Sequence, residues 1–145
     1  MRILQKLLKK RGVANITDVR TQADLSPNIV RGRLGEDLAA EYLREHGYEL
    51  LERNVRYSVG EIDIVAKKDD ETQFVEVKTR RSASFGDAVE HVTPAKQKRV
   101  KRAARIYLSE LHDRTGEDPP CGFMVIGVDL SGDEPKIDCI ECAFE

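Results

Sequence analysis

The sequence has little that suits a membrane or secreted protein. No stretch of its 145 residues approaches the length of apolar chain that spans a membrane. Residues 1–10 are basic but contain no continuous apolar segment and no small-residue cleavage site, so they match a signal peptide poorly. Only three cysteines are present, Cys121, Cys139 and Cys142, and an odd number argues against a disulfide framework. We therefore expect a cytoplasmic protein with no membrane partner, whose thiols pack as small buried hydrophobic groups.

The chain also lacks an excess of either charge. Its 24 Lys and Arg and 26 Asp and Glu give a formal net charge of -2, which argues against a uniformly nucleic-acid-binding surface. A local basic segment is nevertheless present, because six of the ten residues from Lys96 to Arg105 are cationic and none is acidic. A helix face that serves only solubility normally mixes the two signs. The segment therefore predicts a local phosphate-binding surface. We assign the nucleic-acid contacts to Arg80, Arg81, Lys96 and Arg99.

The periodicity of apolar residues predicts an α/β domain. Apolar residues three or four apart predict a helix from Asn28 to His46, and Thr93-Pro94 opens a second helix. Alternating or apolar runs predict five strands, of which the second and third form a hairpin. The predicted strands are residues 48–53, 60–67, 72–79, 123–130 and 136–143. The order of helix, three strands, helix and two strands is typical of a central mixed sheet flanked by helices.

The first part of the chain differs in pattern from the rest. Ile3, Leu4, Leu7 and Leu8 form a short amphipathic helical stripe, which Gly12 and a polar run then interrupt. We interpret residues 1–28 as an N-terminal extension that includes a short amphipathic helix. Residues 29–145 then form the domain that carries the function.

Ionisable residues occupy the predicted hairpin where a buried strand normally carries Val or Ile. Strand side chains alternate between faces, so Glu76 and Lys78 are predicted to share one face, with Val75 and Val77 on the other.

On the preceding strand the same alternation puts Glu61 and Asp63 on one face, opposite Ile62 and Ile64. Pairing of the two strands would bring an aspartate, a glutamate and a lysine together beside an apolar core. Unpaired charge is costly there, so a metal ion, a salt bridge or both should offset it.

Oxygen ligands of this kind suit Mg²⁺, which keeps several waters and takes few carboxylates. We predict Asp63 and Glu76 as metal ligands, with the backbone carbonyl of Val77 as a third and Glu61 as a further candidate. Lys78 can hold the attacking water or neutralise charge on the reacting phosphate. Glu36, near the middle of the first helix, can reach the same pocket. The predicted catalytic residues are Glu36, Asp63, Glu76 and Lys78. A salt-bridge cluster without a metal is the structural alternative.

Four short motifs stand out along the chain: Gly35-Glu36, Gly60-Glu61-Ile62-Asp63, Phe74-Val75-Glu76-Val77-Lys78-Thr79-Arg80 and Phe85-Gly86. Together they resemble the YraN family, small bacterial proteins grouped with restriction-endonuclease-like and Holliday-junction-resolvase-like nucleases. The resemblance runs from about Arg31 to the C-terminus and does not include the N-terminal extension.

The resemblance implies a restriction-endonuclease-like core, with Asp63, Glu76 and Lys78 in its active-site signature. Glu36 would match the helix glutamate of the resolvase branch, and Lys96 a lysine at the head of the second helix. The implied activity is Mg²⁺- or Mn²⁺-dependent hydrolysis of DNA phosphodiester bonds, with branched or damaged DNA as candidate substrates and a homodimer as the expected assembly. A noncatalytic nucleic-acid-binding or protein-partner module on the same scaffold is the alternative.

Overall fold

A computed structural model describes residues 26–80 and 92–145 of the chain. These residues form two helices and five strands, in the order α1, β1, β2, β3, α2, β4 and β5. Their bounds are Pro27–Glu45 (α1), Glu49–Tyr57 (β1), Gly60–Lys68 (β2), Glu71–Arg80 (β3), Pro94–Thr115 (α2), Cys121–Asp129 (β4) and Lys136–Ile140 (β5). The predicted order of elements is confirmed.

The N-terminal extension and Arg81 fall outside what the structure shows. Of the predicted extension, residues 1–25 lie outside the described residues, and α1 begins at Pro27. The short amphipathic helix, the domain boundary and a nucleic-acid contact by Arg81 therefore stay predictions.

The five strands form one mixed sheet in the order β1-β2-β3-β4-β5. The neighbouring pairs are antiparallel except for β3 and β4, which run parallel in a register that begins at Thr72↔Cys121. Parallel strands need a long crossover, and α2 lies in the connection between these two. The α/β class and the mixed five-stranded sheet are thus confirmed.

The two helices cover opposite faces of the sheet. Neighbouring residues of a strand point to opposite faces, and Val75 packs with α1 whereas Phe74 packs with α2. The α1 cluster contains the buried residues Leu38, Ala39, Ala40, Leu43, Ile64, Ala66, Val75, Met124, Ile126 and Val128. The α2 cluster contains Val55, Ile62, Val65, Phe74, Val100, Ala103, Ala104 and Tyr107. Within residues 26–80 and 92–145, no helix combines the length and apolarity needed to cross a membrane.

Helix α2 begins at the predicted cap. The hydroxyl of Thr93 accepts a hydrogen bond from the backbone amide of Lys96 at 3.2 Å, and Pro94 occupies the first turn. The helix ends at Thr115, after which Gly116 adopts a left-handed conformation with φ of 72°. The cap therefore fixes the backbone of Lys96 in the first turn of α2.

The strand bounds agree with the prediction to within two residues except at two strand ends. Strand β1 continues to Tyr57, beyond the predicted end at residue 53, because it stays paired with β2 as far as Tyr57↔Gly60. Strand β5 ends at Ile140 instead of residue 143, because the chain turns at Cys142, whose φ is 50°. After the turn, the Phe144 ring stacks on Phe123 with a centroid separation of 4.8 Å. Cys121, at the start of β4, and Cys142, in this turn, are both exposed. The prediction of buried thiols is therefore wrong for these two residues. All three cysteines are free.

Two glycines allow close contacts between elements. A Cβ atom at Gly35 in α1 would overlap the hydroxyl of Thr79 in β3 and lie 2.9 Å from its Cβ. A Cβ atom at Gly60, where β2 begins, would lie 2.7 Å from the carbonyl oxygen of Arg99 in α2. Both helices can therefore approach the sheet closely because these positions carry no side chain.

Candidate metal and nucleic-acid site

The regular pairing of β2 with β3 ends just before Asp63 and Glu76. The register runs from Lys68↔Glu71 to Ile64↔Val75. Beyond that pair, the backbone amide of Val77 donates to Oδ2 of Asp63 at 2.8 Å. A buried backbone donor needs an acceptor, and here a side-chain carboxylate serves as one. The side chain of Asp63 is therefore fixed between the two strands.

The prediction that Ile62 and Ile64 share one face of the sheet is wrong. Ile64 belongs to the α1 cluster, whereas Ile62 belongs to the α2 cluster. The change of face coincides with a left-handed residue in β1, since Asn54 has φ of 52° and stands between the two residues that pair with these isoleucines. A left-handed residue interrupts the regular pleat, so the facing of side chains changes there. Asp63 lies at this interruption, so its side chain does not follow the regular alternation of faces along β2.

The alternation predicted for β3 is confirmed, and it places Glu76 in a buried position. Val75 and Val77 both pack with α1. The Glu76 side chain is only 4% exposed, and its Oε1 lies 3.6 Å from Nζ of Lys78 and 3.5 Å from Nζ of Lys96. Its other oxygen, Oε2, is buried and has no hydrogen-bond partner among the described residues. A buried carboxylate oxygen without a partner is costly, and either a cation or a proton shared with Asp63 would offset that cost.

Asp63 and Glu76 affect each other's protonation. Burial, and then the negative charge of Asp63, raise the pKa of the Glu76 carboxyl to about 7, against the lowering effect of Lys96 and Lys78. Burial also raises the pKa of Asp63, while the hydrogen bond from the Val77 amide and the charge of Lys96 lower it. The two carboxyl groups are thus close neighbours, and a shared cation would favour the ionised form of both.

The predicted site residues line one cavity of about 430 Å³. The predicted catalytic and metal-binding residues around it are Glu36, Glu61, Asp63, Glu76, Val77 and Lys78. Two predicted nucleic-acid contacts, Arg80 and Lys96, also line it. Arg99 lies instead on the exposed surface of α2. The structure therefore brings together residues from α1, β2, β3 and α2 that the sequence analysis assigned to one site.

Glu36 extends from α1 into the cavity, where it contacts Arg53 of β1. Nη2 of Arg53 lies 3.8 Å from Oε2 of Glu36, and Nη1 donates to Asp37 at 2.9 Å. Burial and the charge of Asp63 raise the pKa of Glu36, whereas the charge of Arg53 and a hydrogen bond with Asn54 lower it. Neither Arg53 nor Asn54 is among the residues predicted for the site. Their positions depend on how β1 packs against α1, and only the polar character of residues 52–54 in a strand could have drawn attention to them.

Glu61 differs from the other carboxylates of the cavity. Its side chain is 51% exposed and its Oε2 lies 3.7 Å from Nε of Arg56. An exposed carboxylate with a cationic neighbour loses little when no metal is bound. The assignment of Glu61 as a further metal ligand stays a prediction.

The oxygen atoms of the site fit a hard divalent cation. Across residues 26–80 and 92–145, no group of three or more His, Cys, Asp and Glu side chains is arranged to hold a metal ion. The side chains of the site offer two carboxylates, Asp63 and Glu76, and Oε2 of Glu76 is the oxygen that has no hydrogen-bond partner in the described part of the chain. Mg²⁺ commonly binds to one or two carboxylates and keeps several waters, so this donor set fits it.

The cationic residues of α2 divide into two groups. Lys96 faces Glu76, and the ammonium group of Lys101 lies 5.8 Å from the centre of the Phe144 ring. The remaining four are exposed: Lys98, Arg99, Arg102 and Arg105. Exposed cations on one helix beside the cavity can bind the phosphates of a nucleic acid.

The pKa of Glu76 predicts how stability depends on pH. The folded protein binds this proton more tightly than the unfolded chain, because the pKa is about 7 compared with 4.5. The resulting stability is complete below about pH 4.5 and is lost as the pH rises towards 7, by up to about 3 kcal/mol. Glu76→Gln should therefore unfold at a higher temperature than the parent at pH 8, with a smaller decline between pH 5 and pH 8. Thermal unfolding of both proteins across this range measures the effect. A less stable Glu76→Gln protein at pH 8 would instead support a salt-bridge cluster.

Comparisons with known proteins agree on one family. The family model described as "Uncharacterised protein family UPF0102" matches residues 35–128. A UPF0102 protein of Syntrophomonas wolfei is 45% identical over 113 residues, which cover 78% of this chain and 96% of the relative. A second, from Symbiobacterium thermophilum, is 44% identical over 115 residues, with 78% and 94% covered. A third, from Syntrophotalea carbinolica, is 46% identical over 114 residues, with 79% and 90% covered.

Proposed function

The chain belongs to the uncharacterised protein family UPF0102, and we propose from the geometry of its site that it is a divalent-metal-dependent endonuclease that hydrolyses phosphodiester bonds in DNA. The observation that carries the proposal is the buried Oε2 of Glu76, which has no partner in the described part of the chain and lies beside the carboxylate of Asp63. Buried carboxyl groups that lower the stability of the fold in this way are typical of functional sites. The cavity of about 430 Å³ gives a phosphate group access to them.

Each residue of the site has a role in this proposal. Asp63, Glu76 and the carbonyl of Val77 would hold Mg²⁺ or Mn²⁺, which when bound supplies a Lewis acid and lowers the pKa of bound water. Lys78 lies at the cavity and donates to a phosphate oxygen, which stabilises the negative charge that develops there. Glu36, whose pKa is raised by burial and by Asp63, is suited to accept a proton from water.

The proposed substrate is DNA, with branched or damaged DNA as the first forms to test. Phosphates outside the cleaved bond would contact Arg80 at the cavity and Arg99 on the exposed surface of α2, together with Arg81. A homodimer is expected for a symmetric junction, and the molar mass in solution with and without such DNA tests it.

Calorimetric titration of Mn²⁺ tests the metal site without a choice of substrate. We expect saturable binding to the parent protein and binding at least about tenfold weaker in Asp63→Asn, because a ligand is lost while an acceptor for the Val77 amide remains. Asp70→Asn is the matched control, since Asp70 is exposed in the turn between β2 and β3. It removes the same charge and should bind like the parent. Equal binding by the Asp63 and Asp70 variants would contradict the proposed site.

A noncatalytic nucleic-acid-binding module is the second candidate. It is favoured by the pairing of both Lys78 and Lys96 with Glu76, which already offsets part of the buried charge, and by the exposed cations of α2. This function predicts salt-sensitive DNA binding that Asp63→Asn and Glu76→Gln leave intact or improve. Binding of linear, nicked, flapped and four-way DNA without cleavage of any of them would favour it.

A further inference from the structure

The side chain of Lys96 occupies the candidate metal site from a different element than the carboxylates. It extends from the first turn of α2, where its backbone amide is fixed by the Thr93 hydroxyl, and its Nζ lies 3.5 Å from Oε1 of Glu76. Lys78 approaches the same oxygen at 3.6 Å from within β3. One carboxylate oxygen is therefore shared by two ammonium groups, while the other oxygen has no partner in residues 26–80 and 92–145.

The charges of Asp63, Glu76, Lys78 and Lys96 sum to zero when all four side chains are ionised. Asp63 and Glu76 carry two negative charges, and Lys78 and Lys96 carry two positive charges. A divalent cation added to that group would leave an excess of two positive charges in a largely buried place, which is unfavourable. Binding of the cation is therefore easier when one ammonium group moves away from Glu76.

Both lysines line the cavity, and their side chains are similarly exposed, at 32% for Lys78 and 25% for Lys96. Lys78 is assigned to the reacting phosphate in the proposed function, so the lysine considered for displacement is Lys96. Its flexible stem reaches the carboxylate across the space between α2 and β3, whereas Lys78 stands only two residues from Glu76 on the same strand. The Lys96 side chain is 25% exposed and lines the cavity, so its ammonium group can turn towards solvent without crossing the core.

We propose that Lys96 is a resident counter-ion of the metal site, which competes with a divalent cation for Glu76 and, once displaced, is available to a phosphate oxygen of the substrate. The inference rests on the proposed function for the existence of the cation site. It adds a role for a residue that the sequence pattern assigned only to nucleic-acid contact. The consequence is that Lys96 weakens cation binding in the absence of substrate.

Mn²⁺ titration of Lys96→Met and Lys98→Met tests this role. Lys98 lies two residues further along α2 and is exposed, so its replacement removes the same charge without removing a contact in the site. We expect Lys96→Met to bind Mn²⁺ on the order of tenfold more tightly than the parent, because the competing charge is gone. Lys98→Met should stay within about twofold of the parent, because its charge is solvated and screened. Lys96→Arg, which keeps the charge, should bind no more tightly than the parent.

The outcomes separate this inference from the proposed function. If the parent binds Mn²⁺ and Lys96→Met binds it no more tightly than Lys98→Met, the counter-ion role is wrong and the metal site stands. A gain in affinity that Lys96→Arg shares equally would also overturn the role, because charge would not be its cause. If no Mn²⁺ binds to the parent or to any variant, both the role and the metal site fail. Lys96→Gln replaces Lys96→Met if thermal unfolding shows that the methionine variant is not folded.

Discussion

Metal-dependent cleavage of DNA is expected to fall by roughly a thousandfold or more in each of Asp63→Asn, Glu76→Gln and Lys78→Met. The first two changes remove carboxylate ligands of the proposed cation, and the third removes the ammonium group that faces the reacting phosphate. Glu76→Gln is informative in particular, since the raised pKa of Glu76 predicts that its neutral form is at least as stable as the parent at pH 8. Loss of cleavage in this variant would then not be a consequence of unfolding.

The measurement is a comparison of cleavage rates on linear, nicked, flapped and four-way DNA with Mg²⁺ or Mn²⁺. Asp70→Asn changes an exposed residue of the turn between β2 and β3 and should retain the parent rate, which controls for the loss of a single carboxylate. Equal residual cleavage by the parent and by a triple Asp63→Ala, Glu76→Ala, Lys78→Ala protein would show a contaminating nuclease and defeat the assignment.

Gly35→Ala is expected to destabilise the protein by about 3 kcal/mol, because the new Cβ would overlap the hydroxyl of Thr79 and one element would have to shift. Gly32→Ala is the matched control within the same helix, since a Cβ placed there meets no described atom within 4 Å apart from its chain neighbours and the adjacent backbone of α1. That change should be neutral or stabilise the helix by up to about 1 kcal/mol. Urea denaturation of the two proteins measures the difference.

A second substitution tests the cause of that difference. Thr79→Gly removes all three side-chain atoms that the Gly35 Cβ would meet, so it should cost less in the Gly35→Ala protein than in the parent. Because Glu36 follows Gly35 in α1, the shifted helix should also carry this glutamate away from the cavity. Equal stability of the Gly35→Ala and Gly32→Ala proteins would show that the close contact is not maintained in solution.

Local patterns in the sequence were sufficient to predict the parts of the site that depend on neighbouring residues. Alternation along β3 placed Val75 and Val77 on one face, and the Thr93-Pro94 pair located the start of α2. Both features depend on residues within one turn or one strand. The order of elements and the mixed sheet followed from the same kind of information.

Features that depend on distant residues could not be predicted in this way. Asn54 adopts a left-handed conformation in the strand beside β2, and near it Ile62 and Ile64 lie on opposite faces of the sheet. The contact of Lys96 with Glu76 joins a helix to a strand, and that of Arg53 with Glu36 joins a strand to a helix. Periodicity within one element carries no information about such pairs. Their identification needed the packing of whole elements.

The hydrogen bond from the Val77 amide to Asp63 has a consequence for how relatives of this chain should be judged. Asp63 supports the backbone as well as the proposed cation, so natural selection for folding alone would retain it in a relative without the proposed nuclease activity. Glu76 has the opposite character, because its buried Oε2, which has no hydrogen-bond partner within residues 26–80 and 92–145, lowers stability unless something binds there. A relative that keeps Glu76 thus carries a residue that folding does not reward, which makes this glutamate the better marker of the proposed activity.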